Sequence, residues 1–334
     1  MKKTIGLILI LSLLVVGLTS TVIAREITIK DYDGVSSTVD APVDTIVSLN
    51  ASLNQLLMAL DSFDKVVAID QNSKEDLYPQ PRKALKVVGD NSHHPKVEAI
   101  AELDPDVVLA STMLTDDHRE KISSFGIPVV VERMSDSERL EKTIDNIGAL
   151  VGKEERANQL FDFISKYRNI IEERVAGLDE GDRTKVYWEW YKPYKTGSSG
   201  ASVHPQIVAG GGENICANAK GRYPTVSSEY VWERNPEVII KQAGRGDSVE
   251  SMKKARNKLM NRDSLESTDA VENESVYVIT WNVTSGLPSV VGELYFAKWI
   301  QPELFKDIDP TEVYAELLEK FLDVSNYTPR AYPY

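Results

Sequence analysis

The chain carries one pattern twice. Glu98-Ala-Ile-Ala-Glu102-Leu-Asp-Pro105-Asp-Val-Val-Leu109 returns, at a constant offset, as Glu229-Tyr-Val-Trp-Glu233-Arg-Asn-Pro236-Glu-Val-Ile-Ile240. Glu98 matches Glu229, Asp104 matches Asn235, and Pro105 matches Pro236. Each copy reads as a short helix, a turn at Asp/Asn-Pro and a buried strand. Helix–Pro–strand junctions are common in α/β proteins, but the glutamate shared at each helix start weighs against a chance likeness. The repeat predicts two α/β lobes of similar design, each with a central, mostly parallel sheet.

Between the copies, from Lys153 to Leu178, apolar residues recur at Ala157, Leu160, Ile164, Tyr167, Ile171, Val175 and Leu178. Steps of three and four place them on one helical face, and no Pro or Gly intervenes before Gly177. At ~1.5 Å per residue such a helix spans roughly 39 Å, about the width of a domain. It is expected to be the strut between the lobes. The organisation is then a leader at 1–24, an N-terminal lobe at 25–152, the helix at 153–178 and a C-terminal lobe at 179–334.

A chain of 334 residues can hold two such cores. Its net charge of −13 makes it a poor partner for nucleic acid, which selects basic surfaces. The single cysteine, Cys216, excludes an intramolecular disulfide and any multi-cysteine metal site, and its neighbours suggest a half-buried, unreactive thiol. Met1-Lys2-Lys3, the apolar run from Ile5 to Val16 and Val22-Ile23-Ala24 read as a secretory signal. No cysteine follows it for lipidation, and an uncleaved leader would be about long enough to anchor the protein in a bilayer. Either way the protein is expected to work outside the cytoplasm.

In order, Arg25 to Val39 reads as a hairpin around Asp33-Gly34. Thr45–Ser48, Val66–Ile69 and Val129–Val131 are buried strands alternating with helices at Leu53–Leu60, His118–Phe125 and Ser135–Val151. Beyond the strut, Lys185–Tyr191 is a strand, Val203–Val208 a helix stopped by Gly210-Gly-Gly212, Ser248–Asn261 a basic helix and Ser275–Ile279 a strand. Val290–Trp299 and Pro310–Phe321 are closing helices. No role is assigned to the tail from Asn326.

No His-Glu-x-x-His, Gly-x-Ser-x-Gly or P-loop pattern occurs among the residues. His93-His94 is a lone pair on a polar loop, where neighbours point apart. The aromatics say more: Trp188, Trp190, Tyr191 and Tyr194 cluster where a strand leaves its sheet, and Trp281 ends another strand. Ligands of open α/β sheets bind beyond the carboxyl ends of strands, and flat aromatic walls suit a large, partly apolar ligand. Lys192, Lys195 and Arg222 are candidate cations for it. One of Trp188 and Trp190 is expected to serve the core. Glu98 and Glu229 each sit near a helix N-terminus, where a carboxylate caps the dipole; as a matched pair they also suit docking onto a two-fold partner.

With these residues the chain resembles the ABC-transporter solute-binding proteins for ferric siderophores, haem and cobalamin. Thr45-Ile-Val-Ser-Leu-Asn-Ala-Ser-Leu-Asn-Gln-Leu-Leu is similar to the family's first strand and helix, and Val97–Leu109 to its best-known motif. Gly210–Asn214, Ser228-Glu229 and Asn235–Ile240 match its second lobe. The resemblance implies two lobes bridged by one helix, a ligand in the cleft between them and no bond chemistry. It implies Glu98 and Glu229 as the residues that dock onto arginines of a membrane permease dimer with its cytoplasmic ATPase, and a monomer with no permanently bound cofactor. The cleft would be expected around Trp188, Trp190, Tyr191, Tyr194, Trp281, Arg222, His93 and Asn50. Ferric siderophore, haem and cobalamin all stay open as the ligand. Two other readings are a binder of bare zinc or manganese, which needs three or four convergent ligands, and a secreted chelatase-like enzyme using His93-His94 or His204.

Overall fold

The structure is a computed structural model that describes residues 25–76, 84–136, 138–325 and 327–333. The expected leader and the Tyr78-Pro79 segment fall outside the described residues. Strands β1 (Arg25–Lys30) and β2 (Ser36–Ala41) form the antiparallel hairpin expected from their alternation. Then come β3 (Ile46–Ser48), α1 (Ala51–Ala59), β4 (Val66–Ile69), α2 (Gln71–Asp76), β5 (Lys86–Val87), α3 (Val97–Ala101), β6 (Val107–Ala110), α4 (Asp116–Ser123), β7 (Val129–Val131) and α5 (Leu140–Val151). The strut is α6 (Glu154–Val175). The second half holds β8 (Thr184–Glu189), α7 (Val203–Ala209), β9 (Gly212–Asn214), α8 (Ser228–Arg234), β10 (Val238–Ala243), α9 (Val249–Met260), α10 (Asp269–Glu272), β11 (Val276–Thr280), α11 (Trp281–Thr284), α12 (Ser289–Ile300), α13 (Pro310–Leu322) and β12 (Ala331–Tyr332).

Among the described residues these strands form two five-stranded sheets, ordered β5-β4-β3-β6-β7 and β12-β11-β10-β8-β9. With β5 left out, the parallel run β4-β3-β6-β7 of the first sheet has the same order as β9-β8-β10-β11 of the second, so the duplicated motif sits on equivalent strands β6 and β10. The repeat is therefore topological as well as sequential. The tail, unassigned from sequence, supplies β12, which pairs antiparallel with β11. Gly212 corrects another expectation: the glycine run stops α7, yet Gly212 also opens edge strand β9, where a Cβ would stand 2.9 Å from methyls of Ile207 and Val186. Only glycine lets β9 approach α7 and β8 this closely.

Period-two alternation assigns the two faces of each sheet. Ile46, Val107, Leu109, Val186, Trp188 and Ile240 enter one core shared by both halves, while Val47, Val108 and Tyr187, Ile239 enter separate cores on the far faces. Ala157, Leu160, Ile164, Tyr167 and Ile171 of α6 are buried in the shared core, as their spacing predicts, with Phe163 beside them. At 22 residues the helix runs about 33 Å. Its polar side is tied at both ends. The Arg156 guanidinium donates to Ala59 O of α1 and to Lys320 O and Phe321 O of α13, filling carbonyls that helix C-termini leave open. Arg168 is bidentate to Glu293 of α12, at 2.9 and 2.8 Å, and Arg174 is bidentate to Asp307, at 2.6 and 2.9 Å. Thus α13, late in the chain, packs on α6 and α1.

The hairpin is fastened to the edge of the first sheet. Tyr32 N donates to Val131 O at 2.9 Å, and the buried Asp31 carboxylate takes Arg119 Nη2 at 2.7 Å and Val131 N at 3.1 Å. Cys216 is fully buried, where half-burial was expected, and burial pushes its thiol up to about 11. It packs beside Tyr187 and Val231 as a small apolar residue.

Candidate functional site

A cavity of about 390 Å3 opens at the carboxyl ends of β8, β10 and β11. Trp190 and Tyr191, just past β8, and Trp281, at the start of α11, supply its aromatic wall. The end of β10 and the turn after it supply Lys241, Gln242, Ala243, Gly244, Arg245 and Asp247. The two halves meet nearby: a Cβ on Gly286, after α11, would lie 2.7 Å from Gln55 Oε1 and 3.1 Å from Ser52 Oγ of α1.

Of the residues predicted from sequence, Trp190, Tyr191 and Trp281 line this cavity. Trp188 is 1% exposed and belongs to the core. The two tryptophans do divide roles, Trp188 in the core and Trp190 at the cavity. Alternate strand residues share a face, and the two indoles stack at 6.2 Å. Depth separates them, because Trp188 lies within β8 and Trp190 beyond its end. Tyr194 turns to the opposite face. Its backbone holds φ 60°, its N–H donates to Glu189 Oε2 at 2.9 Å, and its ring packs over the Arg262 guanidinium at 5.0 Å.

Arg222 is exposed, with its guanidinium 5.5 Å from the ring of Tyr223. Tyr223 in turn packs on Trp190 at 4.7 Å, so it backs the aromatic wall, a role its sequence context gave no sign of. Asn50 is the N-cap of α1, its Oδ1 accepting from Ser52 N and Leu53 N. His93 is exposed; it stands 4.4 Å from the ring of His94, with Nδ1 3.2 Å from Met113 O. Neither Asn50 nor His93 lines the cavity. Among the described residues no three His, Cys, Asp or Glu side chains converge as a metal site.

Behind the wall lies a charged cluster. Glu189, 1% exposed, accepts from Arg262 at 2.6 and 3.1 Å and from the Tyr187 hydroxyl at 3.2 Å, and Lys241 Nζ stands 3.3 Å away. Burial opposes ionisation of Glu189, but the Arg262 hydrogen bonds and the Lys241 charge outweigh it and hold the carboxyl below its usual range. Lys241 Nζ also donates to Trp190 O. Lys241 was missed because the repeat suggested a strand ending at Ile240; β10 runs on to Ala243 and pairs Lys241 with Glu189.

The repeat glutamates occupy matching places, in the first turns of α3 and α8. Both are exposed. Glu98 accepts from Lys121 at 3.0 Å, which lowers its pKa, whereas Glu229 is held low by its own backbone N–H and the hydroxyls of Ser227 and Ser228.

The periplasmic binding protein family model matches residues 46–282, and the chain belongs to that family. An uncharacterized ABC transporter substrate-binding lipoprotein of Bacillus subtilis is 26% identical over 291 residues, which cover 84% of this chain and 87% of the relative. A cobalamin-binding protein of Halobacterium salinarum is 28% identical over 271 residues, covering 79% and 71%. A TroA-like periplasmic binding protein from Veillonella parvula has the same fold, with a TM-score of 0.78 at 23% identity over 91% of this chain and 99% of that one. Among the described residues no helix is long and apolar enough to cross a membrane.

Proposed function

We propose that the chain is the extracytoplasmic binding component of an ABC importer, capturing an iron(III) chelate, haem or a corrinoid between its lobes and handing it to a permease dimer. The observation that carries this is the cavity walled by Trp190, Tyr191 and Trp281 at the carboxyl ends of three strands, whose aromatic faces suit stacking on a flat metal complex. Residues 25–152 and 179–334 act as the two lobes, with the helix at 153–178 as a stiff strut that limits their motion to small hinge movements. Glu98 and Glu229 meet basic residues of the permease, one from each lobe. The protein acts as a monomer, makes and breaks no bonds, and keeps no cofactor of its own.

Tryptophan fluorescence of the mature protein tests the reading. Ferric catecholate and hydroxamate chelates, haemin, cyanocobalamin, zinc and manganese are titrated in turn. Saturable quenching by one coloured chelate supports it. A response to bare zinc or manganese alone would replace it with a metal-ion binder.

A further inference from the structure

Resting on that reading of the cleft, we infer that the ligand carries net negative charge and that Lys241 is the residue that meets it, with Glu189 as the positioning residue. The charges around one buried carboxylate do not balance. Glu189 is one anion, and its bidentate partner Arg262 already balances it. Lys241 at 3.3 Å is a second cation against the same group. The side chains of Lys241, Glu189 and Arg262 are 14%, 1% and 19% exposed, so the surplus positive charge sits in a poorly solvated place. Such a charge is costly unless an anion completes it.

The ammonium has three N–H donors. One goes to Trp190 O and one faces Glu189. Among the described residues no third acceptor for Nζ is found, and Lys241 is one of the residues that line the cavity beside Trp190. The other charges of the wall, Arg245 and Asp247, are of opposite sign and belong to one short turn, in which Asp247 Oδ2 accepts from Gly244 N at 2.6 Å. They add no net charge, and Lys241 sets the sign of the floor.

The same contacts make Glu189 and Lys241 organisers of the wall. Glu189 fixes Tyr194 N, and Lys241 fixes Trp190 O, so the two side chains hold both ends of the segment that presents Trp190 and Tyr191. A ligand that satisfies the third donor is therefore seated against the aromatic faces. A planar or catecholate metal complex bearing carboxylate or phenolate charge fits this floor. A complex with no net charge leaves the ammonium without its anion.

The test compares two anionic probes, a ferric tris-catecholate and haemin, with two that carry no net charge, a ferric tris-hydroxamate and cyanocobalamin. Fluorescence quenching is read at low and high salt with the wild type, Lys241→Met and Lys241→Arg. The expected result is an anionic probe bound roughly tenfold or more tightly than either neutral one, weakening with salt. Lys241→Met loses roughly tenfold for the anionic probe, and Lys241→Arg keeps most of it. The wild-type ranking needs no variant, so poor folding of Lys241→Met leaves the test intact. A neutral probe bound as tightly as the anionic ones, or an anionic affinity unchanged in a folded Lys241→Met protein, overturns the inference and leaves the cleft reading standing. Silence with all four probes overturns both.

Discussion

Asp104 and Asn235, at matching places in the two halves of the chain, adopt the same left-handed backbone conformation, with φ 44° and 41°. Asn235 caps the C-terminus of α8 and Asp104 lies in the turn just after α3, and each precedes a proline that leads into a central strand. Short polar side chains tolerate this conformation, whereas branched ones clash. Asp104→Val and Asn235→Val are each expected to cost about 1–2 kcal/mol, read as a lower denaturant midpoint with an unchanged slope. Glycine separates the sites: Asp104→Gly is tolerated, while Asn235→Gly also loses the 2.9 Å bond from Asp269 N to the Asn235 side chain.

That turn was legible in sequence because it is local: a polar residue, a proline and an apolar run. The strut was legible because its burial follows one helical period over many turns. What failed to show were relations set by distant pairing. Strand β12 exists because Ala331 and Tyr332 meet Ile279 and Val278, and nothing near residue 331 announces it. The aromatic wall could be read from its clustering, but Tyr223 joins it only through a packing contact with Trp190. Lys241 and Glu189 come together by strand register, and the single charged residues at strand ends carry no pattern to mark them.

Glu189 gives the acid behaviour a direction. Its pKa is lowered in the fold, so its contribution is complete above the ordinary glutamate value near 4.5 and is lost as pH falls through the depressed folded value. Asp70 and Glu132 are raised by burial, so they have the opposite sign and favour the fold on protonation. Glu189→Gln leaves Arg262 and Lys241 without their carboxylate and is expected to cost about 3–5 kcal/mol at neutral pH. Thermal midpoints measured from neutral pH to below 4 should fall less steeply in this variant than in the wild type. Parallel curves would mean that Glu189 does not govern the acid limb.

Gly286 offers a handle on the seam between the lobes. Its φ of 69° is unfavourable for any side chain, and a Cβ there would press on Gln55 and Ser52 of the other lobe. Gly286→Ala is expected to cost about 1–2 kcal/mol from the backbone alone. Adding Gln55→Ala removes the group nearest the new methyl, so the pair should be less damaging than the two single changes summed. A double-mutant cycle in urea measures the difference. Strict additivity would mean that the methyl is accommodated without pressing on α1.

The two repeat glutamates make the last test. Glu98 is held by Lys121 at 3.0 Å, and no ion pair to Glu229 is found among the described residues. Both carboxylates are exposed, so reversing either to lysine should lower the thermal midpoint only slightly, through the loss of an anion at a helix N-terminus. Ligand affinity should also hold, because neither residue lines the cavity. Uptake in cells carrying the importer should fall with either reversal, and further with both. The partners predict an inequality. A permease cation must compete with Lys121 for Glu98 but meets no such rival at Glu229, so Glu229→Lys should be the more damaging. Lys121→Ala should then strengthen docking of the wild-type protein. Unchanged uptake in the double reversal, with ligand binding intact, would remove both glutamates from the docking surface.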